Sequence, residues 1–197
     1  MYFAHKFIVD ERLSSLKKDV NACLEKDCAF PALLYCFSVI DLLGALYKGR
    51  ASAAAHTRDN FKEYAVRFMK NTHTNYTSEQ IDLLQNIFRH KIAHLAQPKL
   101  VIKSNSKYVA WRYEYPGTAN HLKIEPYQYT QIKTLLTPKP IYYDHLFTIS
   151  ITKLMYDTID SVVRQPDGYL IKLQNNYKNL QSKFDDTVHQ IYDSEVS

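Results

Sequence analysis

The sequence has only 3 cysteines, and their number and spacing exclude the common cysteine-based sites. Cys23, Cys28 and Cys36 form no CxxC pair, and an odd number of cysteines cannot all pair within one chain. The first residues, MYFAHKFIVDERL, also lack the basic start and the continuous apolar segment of an export signal. We therefore expect the protein in the cytoplasm, where thiols stay reduced.

Long uninterrupted apolar runs are lacking as well. Residues 30–47, FPALLYCFSVIDLLGALY, come closest, but Ser38 and Asp41 lie in the middle of that stretch. Because a charged side chain is costly in lipid, the stretch predicts a buried core helix, with a membrane span as the alternative. We expect no membrane partner.

Charge of one sign is not in large excess. The 25 Lys and Arg residues against 20 Asp and Glu give a net charge of +5, which permits a polyanionic partner without requiring one. Tyrosine is abundant, with 16 residues against 4 glycines. A tyrosine packs its ring and keeps its hydroxyl in water, which suits ligand surfaces, although half-buried core positions are the alternative.

Apolar positions recur with helical spacing in six parts of the chain, and Thr77 with Ser78, ahead of Glu79 and Gln80, offers capping groups for the fourth. The predicted helices cover residues 13–24, 31–47, 57–69, 78–96, 142–164 and 169–192. Alternating β-branched and aromatic residues predict three short strands at residues 100–103, 108–115 and 121–125. We therefore expect a single, mainly α domain over residues 1–197. It would be an antiparallel bundle of about five to six helices, with a small antiparallel β meander inserted at residues 99–126 after the fourth helix.

The fourth predicted helix carries a cluster of cationic and imidazole side chains. At about 100° per residue, one side of this helix is apolar and faces the bundle core, and Arg89, His90 and His94 mostly avoid that side. Leu83 and Ile87 fall on the same far side as the two histidines. This second, mixed stripe requires a second partner, either another helix of the chain or the same helix of a second copy. We take Leu83 and Ile87 as candidate dimer-interface residues.

Three other interpretations of this cluster stay open. His90 and His94 have the i, i+4 spacing of a metal pair, but no Glu lies between them in the protease pattern and no third ligand is evident. The histidines can also be ordinary surface or satisfied core residues. Arg89 can form a structural ion pair, for example with Asp41.

The segment Arg89-His90-Lys91-Ile92-Ala93-His94 resembles the motif of the HEPN superfamily (higher eukaryotes and prokaryotes nucleotide-binding domain). That motif is an arginine, four to six intervening residues and a histidine near the end of a bundle helix, with a polar residue after the arginine. The resemblance covers residues 13–98 and, less closely, 142–192. It implies a metal-independent endoribonuclease, usually a homodimer, and often a toxin with an antitoxin partner or an antiviral defence factor. By position, Arg89 and His94 would be the catalytic pair and His90 the accessory polar residue.

These side chains suit the chemistry that the resemblance implies. Cleavage of RNA by the neighbouring 2′-hydroxyl needs a base, an acid and a cation for the charge that builds on phosphorus, but no metal or other cofactor. Histidine titrates near neutral pH, and arginine binds phosphate oxygens with two parallel donors. Two apposed helices would supply two such sets.

Two further regions offer supporting residues. Asp41 is a carboxylate within an apolar helix, so it either holds Arg89 or a histidine in position or belongs to a polar stripe between helices. In the predicted strand 108–115, Tyr108 and Arg112 alternate with a face that packs on the bundle, so they are the candidate RNA-binding residues. The sequence therefore favours a cytoplasmic, dimeric HEPN-type ribonuclease, with a non-catalytic module that binds RNA, a nucleotide or a protein as the alternative.

Overall fold

A computed structural model describes residues 2–49, 57–70, 72, 76–89, 99–132, 139–175 and 177–192. These residues form seven helices and four strands. The first helix, α1, runs through Tyr2–His5, Lys6–Leu13 and Ser14–Glu25; α2 is Ala29–Lys48; α3 joins Thr57–Tyr64 to Ala65–Met69; and α4 joins Ser78–Leu83 to Leu84–Arg89. The strands are β1 (Val101–Ser104), β2 (Lys107–Glu114), β3 (Ile124–Ile132) and β4 (Ile141–Ser150). They are followed by α5 (Ile151–Val163), α6 (Tyr169–Asn175) and α7 (Tyr177–Tyr192).

The expected mainly α bundle with a small antiparallel meander is wrong, because the chain is a mixed α and β structure. The four strands form one sheet in the order β1-β2-β4-β3. β1 pairs with β2 and β3 with β4 in antiparallel fashion, but β2 and β4 are parallel, with Trp111 opposite Phe147. A parallel pair needs a crossover, and the chain makes it through β3 at the far edge. The sheet therefore extends well beyond the expected insertion at residues 99–126.

The largest error concerns β4, which the periodicity assigns to the start of a long helix at residue 142. Residues 141–150 are instead a strand, and the helix begins only at Ile151. The boundary has a local cause, since the Ser150 hydroxyl accepts a hydrogen bond from the Lys153 backbone N–H at 3.2 Å. A serine in extended conformation is a common helix N-cap. The stretch LFTIS, which ends at this serine, is buried throughout. A continuous buried run has no period that distinguishes a strand from a helix.

The apolar helix α2 lies in the core, as expected for residues 30–47. Leu33, Phe37 and Ile40 are 0–1% exposed. By length and composition alone, the helix could cross a membrane. However, 61% of its most apolar 18-residue stretch is buried within the chain. Gly44 lets α2 approach α3, because a Cβ at this position would collide with the backbone carbonyl of Asn60.

The start of α4 is confirmed as a capping box. The Thr77 side chain accepts from the Gln80 backbone N–H at 3.3 Å, and the Gln80 side chain accepts from the Thr77 backbone N–H at 2.7 Å. The Gln80 amide also donates to the Leu122 carbonyl at 2.8 Å. The first turn of the helix that leads to Arg89 is thus attached to the turn before β3.

Candidate nucleic-acid interface

The sheet has an inner face on the helices and an outer face directed away from them. Side chains alternate along β2, so Val109 and Trp111 share one face and Tyr108 and Arg112 the other. Val109 is fully buried, and Trp111 packs against the core. Tyr108 is 43% exposed. The expected outward direction of Tyr108 and Arg112 agrees with this placement.

The inner face is less completely covered than expected. Tyr113 and Tyr115, which the alternation assigns to the packed face, are 44% and 39% exposed. Tyr113 instead packs at the edge of the helical layer, where its ring lies 6.1 Å from Phe30 and 6.5 Å from Trp111.

Three strands contribute aromatic rings to the outer face. Tyr129 of β3 and Tyr142 of β4 stack with centroids 5.1 Å apart and ring planes 8° apart. In β1, the Lys103 ammonium lies 5.7 Å from the centroid of the Tyr108 ring. These four residues border a surface hollow of about 440 Å³. We call Lys103, Tyr108, Tyr129 and Tyr142 the outer tyrosine surface.

The two cations on this face, Arg112 and Lys103, differ in whether a carboxylate already pairs with them. Arg112 donates to the Thr148 hydroxyl at 2.9 Å and to the Glu125 carboxylate at 3.3 Å, so acidic neighbours already hold its guanidinium. A hydrogen bond from Lys123, followed by the charges of Lys123 and Arg112, lowers the pKa of Glu125. Lys103 forms no ion pair with any carboxylate among the described residues, so its charge is available to a ligand. Of the two residues predicted from the sequence, Tyr108 is therefore better placed for RNA binding than Arg112. Lys103 is a better candidate than Arg112 for the cation that contacts a phosphate.

Sequence reasoning missed Lys103, Tyr129 and Tyr142. The periodicity assigns Tyr142 to a helix and Tyr129 to no element. The signal for Tyr129 is the alternation in YQYT, in which Tyr127 and Tyr129 are two positions apart, as is typical of a strand. Tyr142 has no such signal, because Tyr143 follows it directly.

The predicted catalytic residues lie at and beyond the end of the described part of α4. Arg89 is its last residue, while the Arg89 side chain, His90 and His94 lie outside the described residues. The two flanks are described: the Lys99 backbone N–H donates to the Ile87 carbonyl at 3.0 Å. The Trp111 indole N–H donates to the Lys99 carbonyl at 2.6 Å. The chain thus leaves α4 and returns to β1 at one place beside Trp111 of the sheet.

The assignment of Leu83 and Ile87 to a dimer interface is wrong. They are 1% and 0% exposed within the single chain. The second apolar stripe on α4 does have a second partner, but that partner belongs to the same chain: the helix contacts β1 as well as α2 and α3. A homodimer stays a prediction, and it would need another surface.

Asp41 lies half-buried in α2. Its predicted pairing with Arg89 involves a side chain outside the described residues. Its supporting role therefore stays a prediction.

A buried polar network, unforeseen from the sequence, joins the segment before α4 to the turn before β3 and to α5. The Tyr76 hydroxyl lies 3.0 Å from Nε2 of His121 and donates to Asp157 at 3.1 Å. The Lys153 ammonium donates to the other Asp157 oxygen at 2.6 Å. The side chains of His121 and Asp157 are 2% and 1% exposed, and Tyr76 is fully buried. Three distant segments of the chain therefore meet at one carboxylate.

The direction of each hydrogen bond in this network follows from His121. Its Nδ1 accepts from the Ser150 backbone N–H at 3.0 Å, so the proton of the neutral ring is on Nε2 and points to Tyr76. Burial, followed by the positive charge of Lys153, lowers the pKa of His121 to about 3. The Asp157 carboxylate lies 3.7 Å from Nε2, but Lys153 already offsets its charge. His121 is therefore a neutral structural link at neutral pH.

Comparison with known proteins finds no matching family model, no matching curated protein and no matching solved structure.

Proposed function

We propose that the protein binds single-stranded RNA on the outer tyrosine surface and cleaves it without a metal ion at Arg89 and His94. The observation that carries the binding half is the grouping of three exposed tyrosine rings on one face of a sheet, beside Lys103, which has no ion pair with a carboxylate of the described residues. The cleavage half rests on the Arg89–His94 motif and on its chemistry.

The outer tyrosine surface suits unpaired bases. Proteins that bind single-stranded nucleic acid stack successive bases on aromatic side chains and neutralise the phosphates with nearby cations. Tyr129 is 63% exposed and Tyr108 is 43% exposed, so ring surface is accessible on both sides of the hollow. Bases within a duplex are already stacked on each other, so this surface favours an unpaired strand.

Arg89, His90 and His94 supply the groups that metal-independent cleavage requires. A histidine takes the proton of the 2′-hydroxyl or delivers one to the leaving 5′-oxygen, and Arg89 neutralises the charge on the phosphate. The described flanks of this segment meet beside Trp111 on the inner face of the sheet, and Lys99 leads into β1, the edge strand that carries Lys103. We propose that an RNA strand bound on the outer face reaches the segment around this edge. We propose that a second copy completes the site through a surface other than Leu83 and Ile87.

Removal of one ring from the outer tyrosine surface is expected to weaken RNA binding. Tyr129→Ala should cost about 1–3 kcal/mol of binding free energy, because one base loses its stacking partner. Fluorescence anisotropy with a labelled single-stranded oligonucleotide measures the change. Tyr156→Ala is the matched control, since Tyr156 is also exposed, at 46%, but lies on α5. Equal effects of the two substitutions would contradict the proposed surface.

Cleavage is expected to resist chelators and to need both motif residues. Purified protein incubated with single-stranded RNA and EDTA should yield products with 2′,3′-cyclic phosphate ends, and Arg89→Ala and His94→Ala should each abolish them. His189→Ala controls for the loss of a histidine elsewhere on the chain. Binding by all variants without cleavage by the wild type would instead support the non-catalytic RNA-binding module.

A further inference from the structure

A second hollow lies at the other end of the helical layer, among α2, α3, α6 and α7. Its volume is about 370 Å³. The described residues that line it include one aromatic pair, two cations and an amide: Tyr47, Phe68, Arg67, Lys172 and Asn175. None of these residues belongs to the outer tyrosine surface or to the Arg89–His94 motif. The hollow is within the usual size range of small-molecule sites, about 300–1,000 Å³.

Positive charge is in excess at this hollow. Asp167, the carboxylate in its lining, accepts from the Arg164 guanidinium at 2.8 Å, and neighbouring Glu63 pairs with Lys48 at 3.5 Å. Arg67 and Lys172 form no ion pair with any carboxylate in the described part of the chain. Both cations are therefore available to an anionic group, and the arginine can hold two phosphate oxygens at once.

A wall of aromatic rings lies beside the cations. The Arg67 guanidinium is 5.3 Å from the centroid of the Tyr47 ring, and Phe68 meets the same ring edge-on at 5.4 Å. Tyr169 packs behind both rings, fully buried. Its hydroxyl has no hydrogen-bond partner among the described residues, whereas the hydroxyl of the adjacent Tyr64 lies 3.3 Å from that of Ser161. Tyr169 is not among the described residues that line the hollow, so its ring supports the aromatic wall from behind.

We propose that this hollow binds a small phosphate monoester that carries a flat ring, the chemistry of a mononucleotide. Arg67 and Lys172 hold the phosphate, Asn175 offers an amide for hydrogen bonding, and the ring packs against Tyr47 and Leu180. This assignment is independent of the proposed ribonuclease activity, because it uses other residues at another place in the fold.

Isothermal titration calorimetry with AMP tests the assignment directly. We expect saturable one-to-one binding by the full chain, with adenosine and inorganic phosphate each bound at least about tenfold more weakly, because each retains only half of the contacts. Arg67→Ala and Lys172→Ala should each weaken AMP binding by about tenfold, the usual effect of losing one charge-assisted hydrogen bond. Lys62→Ala is the matched control: Lys62 lies on the same helix as Arg67 and pairs with Asp82 at 2.7 Å, so AMP affinity should not change.

Competition identifies the source of the ligand. Displacement of AMP by a 5′-phosphorylated trinucleotide, but not by its 5′-hydroxyl form, would identify an RNA end as the ligand. Displacement by neither trinucleotide would identify a free nucleotide. Each of these two results supports the assignment. Absence of saturation up to about 5 mM AMP, or an equal loss in Lys62→Ala, would overturn it. Because RNA cleavage is assayed separately, failure here leaves the ribonuclease proposal standing, and the reverse also holds.

Discussion

Replacement of Asp157 by alanine is expected to lower the free energy of unfolding by about 3–5 kcal/mol, a large part of the stability of a domain of this size. The carboxylate is 1% exposed and accepts hydrogen bonds from both Tyr76 and Lys153, with His121 nearby. Without it, the Tyr76 hydroxyl loses its acceptor at a fully buried position. A buried donor that loses its partner costs its full desolvation energy. Lys153 contributes less, since its side chain is 26% exposed and can turn to water.

Urea denaturation followed by circular dichroism measures this loss as a shift of the midpoint with an unchanged slope. Asp157→Asn is expected to lose less than the alanine variant, because the amide oxygen still accepts from Tyr76. Asp185→Ala is the matched control: Asp185 accepts from Gln181 at 2.6 Å on the exposed side of α7, so the expected change is within about 0.5 kcal/mol. A similar midpoint for Asp157→Ala and Asp185→Ala would show that the network contributes little.

Local signals predict α2 and the start of α4 well, but not the start of the first helix, which lies at Tyr2 rather than near Leu13. The stretch TSEQ indicates the start of α4, where Thr77 and Gln80 form a capping box. Ser38 and Asp41 did not prevent the correct assignment of α2 to the core. In both cases the information lies within a few residues of sequence.

The sheet could not be predicted to the same extent, because its pairing joins distant segments. β2 and β4 run parallel with Arg112 opposite Thr148, a contact that no local pattern encodes. The strand at residues 100–103 is predicted, but no local pattern places it against α4. The sequence therefore leaves another helix or a second copy as the partner of Leu83 and Ile87, whereas β1 supplies a partner surface within the chain.

The same limit applies to the candidate sites. Alternation in β2 was enough to direct Tyr108 outward, but Tyr129 and Tyr142 join it only once β3 and β4 are in place. Tyr76 and Asp157 are 81 positions apart in the sequence, so their hydrogen bond was not foreseeable. Short motifs and alternation thus indicate single residues, and tertiary pairing decides which of them act together.

Acid is expected to destabilise the protein through His121 before the carboxylates titrate. The folded pKa of His121 is about 3, against a value of 6.5 for a free histidine. Below pH 6.5 His121 binds a proton in the unfolded chain, whereas in the folded chain it stays neutral until the pH approaches the folded pKa. The stabilising contribution is therefore complete above the unfolded pKa and is lost as the pH falls, by about 2 kcal/mol between pH 6.5 and 4.5.

The substitution His121→Gln separates the effect of His121 from the effects of the other histidines. Glutamine keeps an acceptor and a donor but loses the ring contact with Tyr76, so the variant is expected to be less stable than the wild type at pH 7. Because glutamine does not titrate, the stability of the variant varies less with pH. The two unfolding free energies should converge as the pH falls from 6.5 to 4.5, since the wild type alone loses the His121 contribution of about 2 kcal/mol. Urea unfolding at half-unit pH steps measures both curves. A constant difference between them over this range would contradict the lowered pKa, because His121 would then bind its proton equally in the folded and unfolded chains.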